Sequence, residues 1–371
     1  MFARHANRSC PILFSTKICR SLIRPALPII LLTMVSHPGN AQEQVARPDD
    51  QNSKAHEFYV QGNNSFRGQT KAGMLKSIEF YEQAIKTDPN YALAYTGLAR
   101  AYFALGMRGF LSPKESQPKD EAAALKSVEL DNSLAEAHAA LGAVKQVFHW
   151  DWDGAEKEFK RALELNPNSA EARLLYVDFL QYSGRPVEAV GYATPIAPTL
   201  ESISYLRNRQ FEKLIEILLK AKESRPDRGD FHLAVAYIGA GKYGEAITEM
   251  QKVIANARDK EPERWDRYPI LAYAYAAAGK RDEALKILNE QNELAKTGYI
   301  SPYNFAIIYT GLGDKDKAFE YLKKTYEQHV PVLHHFPSWS LFDPLHSDRR
   351  FAELVRRMNL PPERFLKTVR E

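Results

Sequence analysis

The sequence predicts an all-α protein, an α-solenoid of stacked helix–turn–helix units that ends in a C-terminal capping helix. From Ala55 onward, apolar residues recur at helical spacing, and alternating strand patterns are absent. The stretch Leu271–Leu288 predicts a helix end, a tight turn at Gly279 and a second helix. The same pattern recurs once before and once after it at similar spacing, with equivalent residues at Gly241, Gly279 and Gly313 and at Ala246, Ala284 and Ala318. A period of about 34 residues with paired helices indicates a stacked repeat array.

Residues 1–41 have the pattern of a leader that is removed from the mature protein. Acidic residues begin only at Glu43, and five Lys and Arg residues precede the apolar run Ala26–Val35. That run is too short to cross a bilayer, which takes about 20 residues. Small residues around Ala41 then suit cleavage of a secretory signal peptide, so we expect export to the periplasm. An Arg-rich leader without acidic residues also fits mitochondrial import, and this alternative stays open.

Composition and charge exclude several classes of function. The chain is 44% hydrophobic and 26% charged, as globular proteins commonly are. Without the five basic residues of the leader, 45 Lys and Arg face 46 Asp and Glu, so no basic patch for nucleic acid is expected. Both cysteines, Cys10 and Cys19, belong to the leader. The mature chain would therefore have no disulfide, cysteine–zinc site or cysteine nucleophile.

The repeats match one another at specific residue types. The third unit carries Leu141, Gly142, Ala155, Phe159, Ala162 and Pro167. The last three units carry Leu233, Ala234, Tyr237, Ala246 and Met250, then Leu271, Ala272, Tyr275, Ala284 and Leu288, then Phe305, Ala306, Tyr309, Ala318 and Leu322. With these matches, residues 55–328 resemble the tetratricopeptide repeat (TPR) family, and in particular bacterial TPR regions found alone or fused to regulatory domains. The small residues let two helices approach closely, and the large ones fill the space between units.

Departures from the repeat suggest how the chain is divided. We expect a signal peptide at 1–41, a disordered linker at 42–54, an N-terminal lobe at 55–194, a C-terminal lobe at 199–328 and a final region at 329–371. Pro195 and Pro198 interrupt the helical pattern between the lobes. Prolines and aromatic residues in Val330–Ser347 predict an extended segment. Asp348–Met358 predicts an amphipathic helix that covers the last open apolar face.

The resemblance places partner binding on the concave face, which the first helix of each unit lines. The candidate groove residues are Arg100, Phe103, Phe231, Val235, Ile238, Asp266, Tyr273, Tyr303 and Ile307. They are mostly apolar, which favours an apolar peptide or helix as the partner. The Lys/Arg and Asn pattern that chaperone-binding members use for a C-terminal carboxylate is not found at the assigned positions. Packing of these side chains against a neighbouring helix is an equally open alternative.

The sequence contains only weak matches to catalytic, metal-binding and cofactor-binding motifs, so we expect neither an enzyme nor a cofactor. Four histidines crowd the proline-rich region, at 329, 334, 335 and 346, but without the fixed ligand spacing of a zinc site. Gly241 and Gly279 each precede a lysine, but the other residues of a phosphate-binding loop are missing. Trp150 and Trp152 flank a widened turn, and filling that turn is favoured over gripping a ligand.

Two functions remain. The first is a non-enzymatic scaffold that binds a protein or peptide in the concave groove, in the cell envelope. The second is a sensory or regulatory ligand-binding module whose effector lies on another chain. Membrane contact is expected only if the leader is retained.

Overall fold

The computed structural model describes residues 54–193, 205–206, 208–223, 226, 229–258 and 267–366. All regular secondary structure in these ranges is helical, which confirms the predicted class. The N-terminal half contains α1 (Lys54–Phe66), α2 (Lys71–Thr87), α3 (Ala92–Met107), α4 (Pro113–Leu130), α5 (Ala135–Val144), α6 (Trp152–Leu165), α7 (Ala170–Tyr182) and α8 (Pro186–Ala193). The C-terminal half contains α9 (Phe211–Lys222), α10 (Phe231–Gly239), α11 (Tyr243–Arg258), α12 (Tyr268–Ala277), α13 (Arg281–Leu294), α14 (Pro302–Gly311) and α15 (Lys315–Glu327). The expected leader, nearly all of the expected linker, and Pro195 and Pro198 lie outside the described residues.

Successive helices pack on one another in chain order, which is the predicted solenoid of stacked pairs. Small residues bring the helices together. The ring of Tyr81, on α2, lies against Gly62 of α1 and Gly97 of α3, and a Cβ added at Gly97 would be 2.6 Å from Tyr81 Cε1. In the third pair a Cβ at Gly142 would be 2.8 Å from Phe159 Cε1. Glycine at these positions therefore makes room for the aromatic ring of the next helix.

The turn glycines that revealed the repeat have the backbone conformation that the repeat needs. Gly241, Gly279 and Gly313 have φ angles of 72°, 77° and 76°. At the second turn the amide of Gly279 donates to Ala276 O and the amide of Lys280 donates to Tyr275 O. These bonds satisfy carbonyl groups at the end of α12, and glycine adopts the left-handed conformation without steric cost.

Residues 330–366, which we call the tail, do not form the extended segment expected from the prolines. Pro331–Ser338 and Ser340–Leu345 are two 3₁₀ helices. Proline fixes φ near −65°, which suits a 3₁₀ helix as well as an extended chain, so composition alone could not separate the two. Burial decides between them, because Leu333, Phe336 and Phe342 point into the core.

The predicted capping helix is present as α16 (Arg349–Arg357), which a short α17 (Glu363–Leu366) follows. Phe351 of α16 is buried, with its ring centroid 4.9 Å from that of Phe336 in the first 3₁₀ helix. The Arg350 guanidinium lies 4.4 Å from the ring centroid of Phe319, on α15. The helix therefore covers the last repeat and the tail together.

The tail also returns to the N-terminal half of the chain. Trp152 Nε1 donates to Met358 O at 2.7 Å, and Arg364 Nη1 donates to Ser183 O at 3.0 Å. Pro331 contacts the end of α3, where a Cβ at Gly106 would be 3.9 Å from its ring. All three contacts join segments that are far apart in the sequence, so the tail closes the solenoid across its concave side.

The widened turn of the third pair takes part in this closure. Residues Lys145–His149 form a π-helical turn, and Trp150 follows in a left-handed conformation with φ 49°. Its ring stacks on Tyr326, at the end of α15, with centroids 4.7 Å apart, and on His329 at 5.2 Å. Trp150 thus packs against the end of the last repeat, and filling of its own turn stays a prediction.

Close packing at Gly97 predicts a large effect of added side-chain volume. Gly97→Val should lower the free energy of unfolding by about 2–3 kcal/mol, because the buried Tyr81 ring leaves no room for the new methyl groups. Gly244→Val is the matched control, since a Cβ there meets open space, and should change stability by at most about 0.5 kcal/mol. Urea unfolding followed by circular dichroism measures both, and equal midpoints for the two variants would contradict the packing account.

Candidate partner-binding face

The groove residues predicted in the C-terminal half lie on the first helices of their pairs, as expected, and are buried. They are Phe231, Val235 and Ile238 on α10, Tyr273 on α12, and Tyr303 and Ile307 on α14. The second 3₁₀ helix of the tail contacts α10 and α14. Trp339 stacks on Tyr303 with nearly parallel rings whose centroids are 6.0 Å apart. In this half the chain itself covers the concave face, so partner binding by these residues stays a prediction that requires the tail to move.

The tail does not account for the burial of every predicted groove residue. Tyr273 packs on the neighbouring pair, where a Cβ at Gly311 would be 2.7 Å from Tyr273 Cα. Phe103, on α3, is buried in the main core cluster. Asp266 lies outside the described residues. Arg100 is the one predicted groove residue whose polar side chain faces other polar groups on the concave side of the described N-terminal half.

Arg100, on α3, is held by side chains from three other helices. Its Nη2 donates to Asn63 Oδ1 of α1 at 2.5 Å and to Tyr81 Oη of α2 at 3.1 Å. Its Nη1 lies 3.6 Å from Glu171 Oε2 of α7, and the guanidinium lies over the Phe66 ring. The side chain of Arg100 keeps 17% of its surface exposed and that of Glu171 keeps 27%. A guanidinium held in a fixed position, on a side chain that keeps some exposed surface, is suited to contact a bound chain.

Two further titratable groups complete this arrangement, which we call the Arg100 cluster (Tyr59, Asn63, Tyr81, Arg100, Glu136 and Glu171). Burial, and then the charge of Glu171, raise the pKa of Glu136 to about 7, while the charge of Arg100 acts in the opposite direction. Glu136 Oε2 is buried and has no hydrogen-bond partner among the described residues. Burial raises the pKa of Tyr59 to about 12, so its hydroxyl stays protonated at neutral pH.

The sequence contains a signal for part of this cluster. Asn63 follows the small residue Gly62 in the first unit, just as Arg100 follows Ala99 in the second. Equivalent positions on adjacent first helices lie side by side in a stacked array, so the two side chains could have been paired. Glu171 could not be found in this way, because the fourth unit departs from the repeat.

Of the four histidines of the proline-rich region, His334 and His335 lie together, and His329 and His346 lie in other surroundings. His329 stacks on Trp150, whereas His334 and His335 pack on Tyr182 of α7 with centroid distances of 4.6 and 4.3 Å. His346 packs on Phe351, and burial lowers its pKa to about 4. Within the described ranges, no group of three His, Cys, Asp or Glu side chains is arranged to hold a metal ion.

Known proteins share sequence with parts of this chain. A family model described as tetratricopeptide repeat matches residues 303–327, within α14 and α15. Hsp70-Hsp90 organizing protein 3 of Arabidopsis thaliana is 26% identical over 206 residues, which cover 52% of this chain and 33% of that protein. Superkiller complex protein 3 of Mus musculus is 23% identical over 271 residues, which cover 71% of this chain and 15% of that protein. The chain thus spans a third or less of the length of these two relatives.

Solved structures overlap with the chain at low scores. Human IFIT1, as a dimer with m7Gppp-AAAA, is 16% identical, with 85% of this chain and 68% of that one covered and a TM-score of 0.40. PilW, described as a type IV pilus biogenesis factor, is also 16% identical, with 66% of this chain and 94% of that one covered and a TM-score of 0.32. TM-scores this low carry no information about the function of the chain, and its fold is established by its own helices and turns.

The raised pKa of Glu136 predicts how stability changes with pH. A carboxyl group whose pKa is about 7 in the folded chain, against an ordinary 4.5, binds its proton more tightly in the folded state. Its stabilising contribution is therefore complete below about pH 4.5 and is lost as the pH rises through 7. We expect Glu136→Gln to raise the urea midpoint at pH 8 and to leave it nearly unchanged at pH 4.5.

The exposed Glu290, on α13, provides the control for this measurement. Glu290→Gln should shift the urea midpoint by the same small amount at both pH values. A Glu136→Gln variant that behaves in the same way would show that burial does not perturb this carboxyl group.

Proposed function

We propose that this chain is a tetratricopeptide repeat protein that acts as a non-enzymatic scaffold and binds a protein or peptide at the Arg100 cluster. Tetratricopeptide repeats mediate protein–protein interaction, which supports the general role. The single observation that supports the site is that the tail covers one part of the concave face and leaves another part uncovered. The tail covers the first helices of the C-terminal half, whereas the Arg100 cluster keeps exposed surface.

The path of the tail explains why this part of the face stays accessible. In α3 the tail contacts Gly106, near the C-terminal end, and in α7 it contacts Tyr182, the last residue. Arg100 lies almost two turns before Gly106, and Glu171 lies at the opposite end of α7. These tail contacts therefore leave the middle of α3 and the N-terminal end of α7 for a partner in the proposed site.

The polar groups of the cluster suit recognition of a peptide backbone. Asn63 and Arg100 supply hydrogen-bond donors, Glu171 supplies acceptors, and Phe66 supplies an apolar surface beneath the guanidinium. Because Asn63, Arg100 and Glu171 are already ordered by mutual contacts, a bound chain would meet side chains that lose little further conformational entropy. The charges of Arg100 and Glu171 offset each other, and Glu136, whose pKa is about 7, adds a partial negative charge at neutral pH, which favours a neutral or basic peptide over an acidic one.

Substitutions in the cluster test the proposed site. Arg100→Ala and Glu171→Ala should each reduce partner recovery at least tenfold in crosslinking and affinity capture from the native host, with mass spectrometry for identification. Lys286 is exposed on α13, the second helix of its pair, and Lys286→Ala should leave partner recovery unchanged. Circular dichroism confirms that each variant is folded, and full recovery of the same partners by both cluster variants would refute the proposed site.

Location in the cell envelope is part of the proposal and rests on residues 1–41. Their basic, apolar and small-residue segments are typical of a secretory signal, with mitochondrial import as the alternative. No helix within the described ranges combines the length and the apolar character needed to cross a membrane. N-terminal sequencing of the mature protein should give Gln42 as its first residue, and recovery of an intact leader would contradict cleavage.

A further inference from the structure

All three histidines of the tail are buried. His334, His335 and His346 keep 0%, 2% and 6% of their surface exposed. The ordinary pKa of an imidazole is about 6.5, so a ring that is free in water becomes positively charged in mild acid. Burial disfavours the charged ring, because the interior of a protein is less polar than water. The tail therefore places three rings that charge readily in water where a charge is costly.

His334 and His335 lie in contact with each other against α7. Their ring centroids are 4.1 Å apart, and both rings pack on Tyr182. His334 Nδ1 lies 2.7 Å from Pro331 O. A carbonyl oxygen can only accept, so Nδ1 carries the hydrogen and an additional proton goes to Nε2. Asp178 Oδ2 lies 4.0 Å from that Nε2, so its carboxylate can compensate one positive charge on the pair.

A second positive charge on this pair would meet the first. Two charged imidazole rings at this separation repel each other, and the repulsion is strong where water is excluded. Charged side chains on the other elements that contact the first 3₁₀ helix have partners of their own: Arg108 of α3 with Gln69, Lys145 and His149 of the π-helical turn with Glu158 and Glu121, and Lys323 and Lys324 of α15 with Glu327 and Glu320. The docked tail thus accommodates one proton on the pair far more readily than two.

His346, which follows the second 3₁₀ helix, is kept neutral by its surroundings. Its ring packs on Phe351, and neither ring nitrogen has a hydrogen-bond partner among the described residues. Burial, and then the charge of Arg209, lower its pKa to about 4. Asp343 Oδ1 lies 3.6 Å from His346 Nε2 but accepts a hydrogen bond from Arg209 Nη2 at 2.6 Å. The Asp343 carboxylate is therefore already engaged by a permanent cation.

Three further facts bear on the charge balance around His346. Burial raises the pKa of Asp343, so a proton on this carboxyl group would favour the docked tail. The titratable side chains on α10 and α14, the helices that contact the second 3₁₀ helix, are His232, Tyr237, Tyr303 and Tyr309. Neutral tyrosines do not change charge in acid, which leaves His232 as the group that needs a control.

Release of the tail changes the number of bound protons. Free in water, the three rings would bind three protons well below pH 6.5, whereas the docked tail accepts one on the pair and none at His346 until the pH nears 4. The released tail therefore binds more protons, so the equilibrium shifts toward release as the pH falls from about 6.5 toward 4. At pH 7.5 this difference vanishes, and the tail belongs to the common core.

We propose that the tail is an acid-sensitive latch, in which protonation of His334, His335 and His346 releases the tail and uncovers the concave face of the C-terminal half. Tyr303 of α14 now lies against Trp339 of the tail, and release would expose it. The inference goes beyond the proposed partner site, because it adds an apolar surface that becomes available in acid. It does not depend on the Arg100 cluster.

Hydrogen exchange of the full chain, followed by mass spectrometry at pH 7.5 and pH 5.0, tests the latch. Protection factors, corrected for the intrinsic exchange rate at each pH, compare peptides from 331–345 with peptides from α14. Both should be equally protected at pH 7.5, and at pH 5.0 the tail should lose at least about tenfold more protection than α14. Equal loss in both would indicate global acid unfolding, and no loss in the tail would indicate no response. Either result would overturn the proposal.

Substitutions that cannot be charged identify the sensing groups. A double variant, His335→Gln with His346→Gln, removes the second charge of the pair and the charge at His346, so its tail should keep its protection at pH 5.0. His232→Gln is the matched control, because His232 is also buried, at 3% exposure, but lies on α10. The control should lose tail protection as the wild type does. A double variant that still responds, or a control that no longer does, would overturn the assignment.

The wild type alone decides the question if the double variant does not fold. Fluorescence of the uncharged dye Nile red should rise at least about twofold from pH 7.5 to pH 5.0 as the apolar face is uncovered, while far-ultraviolet circular dichroism shows the repeat helices intact. A flat dye signal, or a rise that accompanies loss of the helices, would contradict the latch. Arg100→Ala should show the same acid response as the wild type, which separates failure of this inference from failure of the proposed partner site.

Discussion

A pair of helices cannot bury its own apolar face, and this constraint governs every level of the structure. Each pair is covered by the next, through small residues such as Gly97 that admit a neighbouring ring. The last pair has no following repeat. Its apolar surface is covered by the tail, whose Phe336 and Phe342 are fully buried. Because the tail is long, it covers the last repeat and then continues across the concave side to Trp152 and Ser183.

Closure by the tail determines where binding can occur. In the C-terminal half, the surface that a repeat array would offer to a partner is already in contact with aromatic residues of the same chain. In the N-terminal half, the polar side chains around Arg100 remain partly exposed. One packing requirement thus covers the apolar concave face of the C-terminal half and leaves the polar side chains around Arg100 partly exposed.

Local features of this fold could be predicted from the sequence, and long-range ones could not. The turns at Gly241, Gly279 and Gly313 and the amphipathic helix near Phe351 each follow from spacing within a few residues or one repeat. The contact of Trp152 with Met358 spans 206 residues and leaves no period in the sequence. The 3₁₀ helices of the tail could not be predicted because their prolines also suit an extended chain, and only burial selects the helix.

The central claim, that the tail belongs to the same cooperative core as the repeats, is tested most directly by native-state hydrogen exchange. The amides of Trp339 and Phe342 donate within the tail, to His335 O and Trp339 O, and can be compared with those in the middle of α14. If the account holds, both sets exchange through the same global opening, with equal free energies and equal denaturant dependence. Exchange of the tail amides through a local opening of much lower free energy, while α14 stays protected, would contradict it.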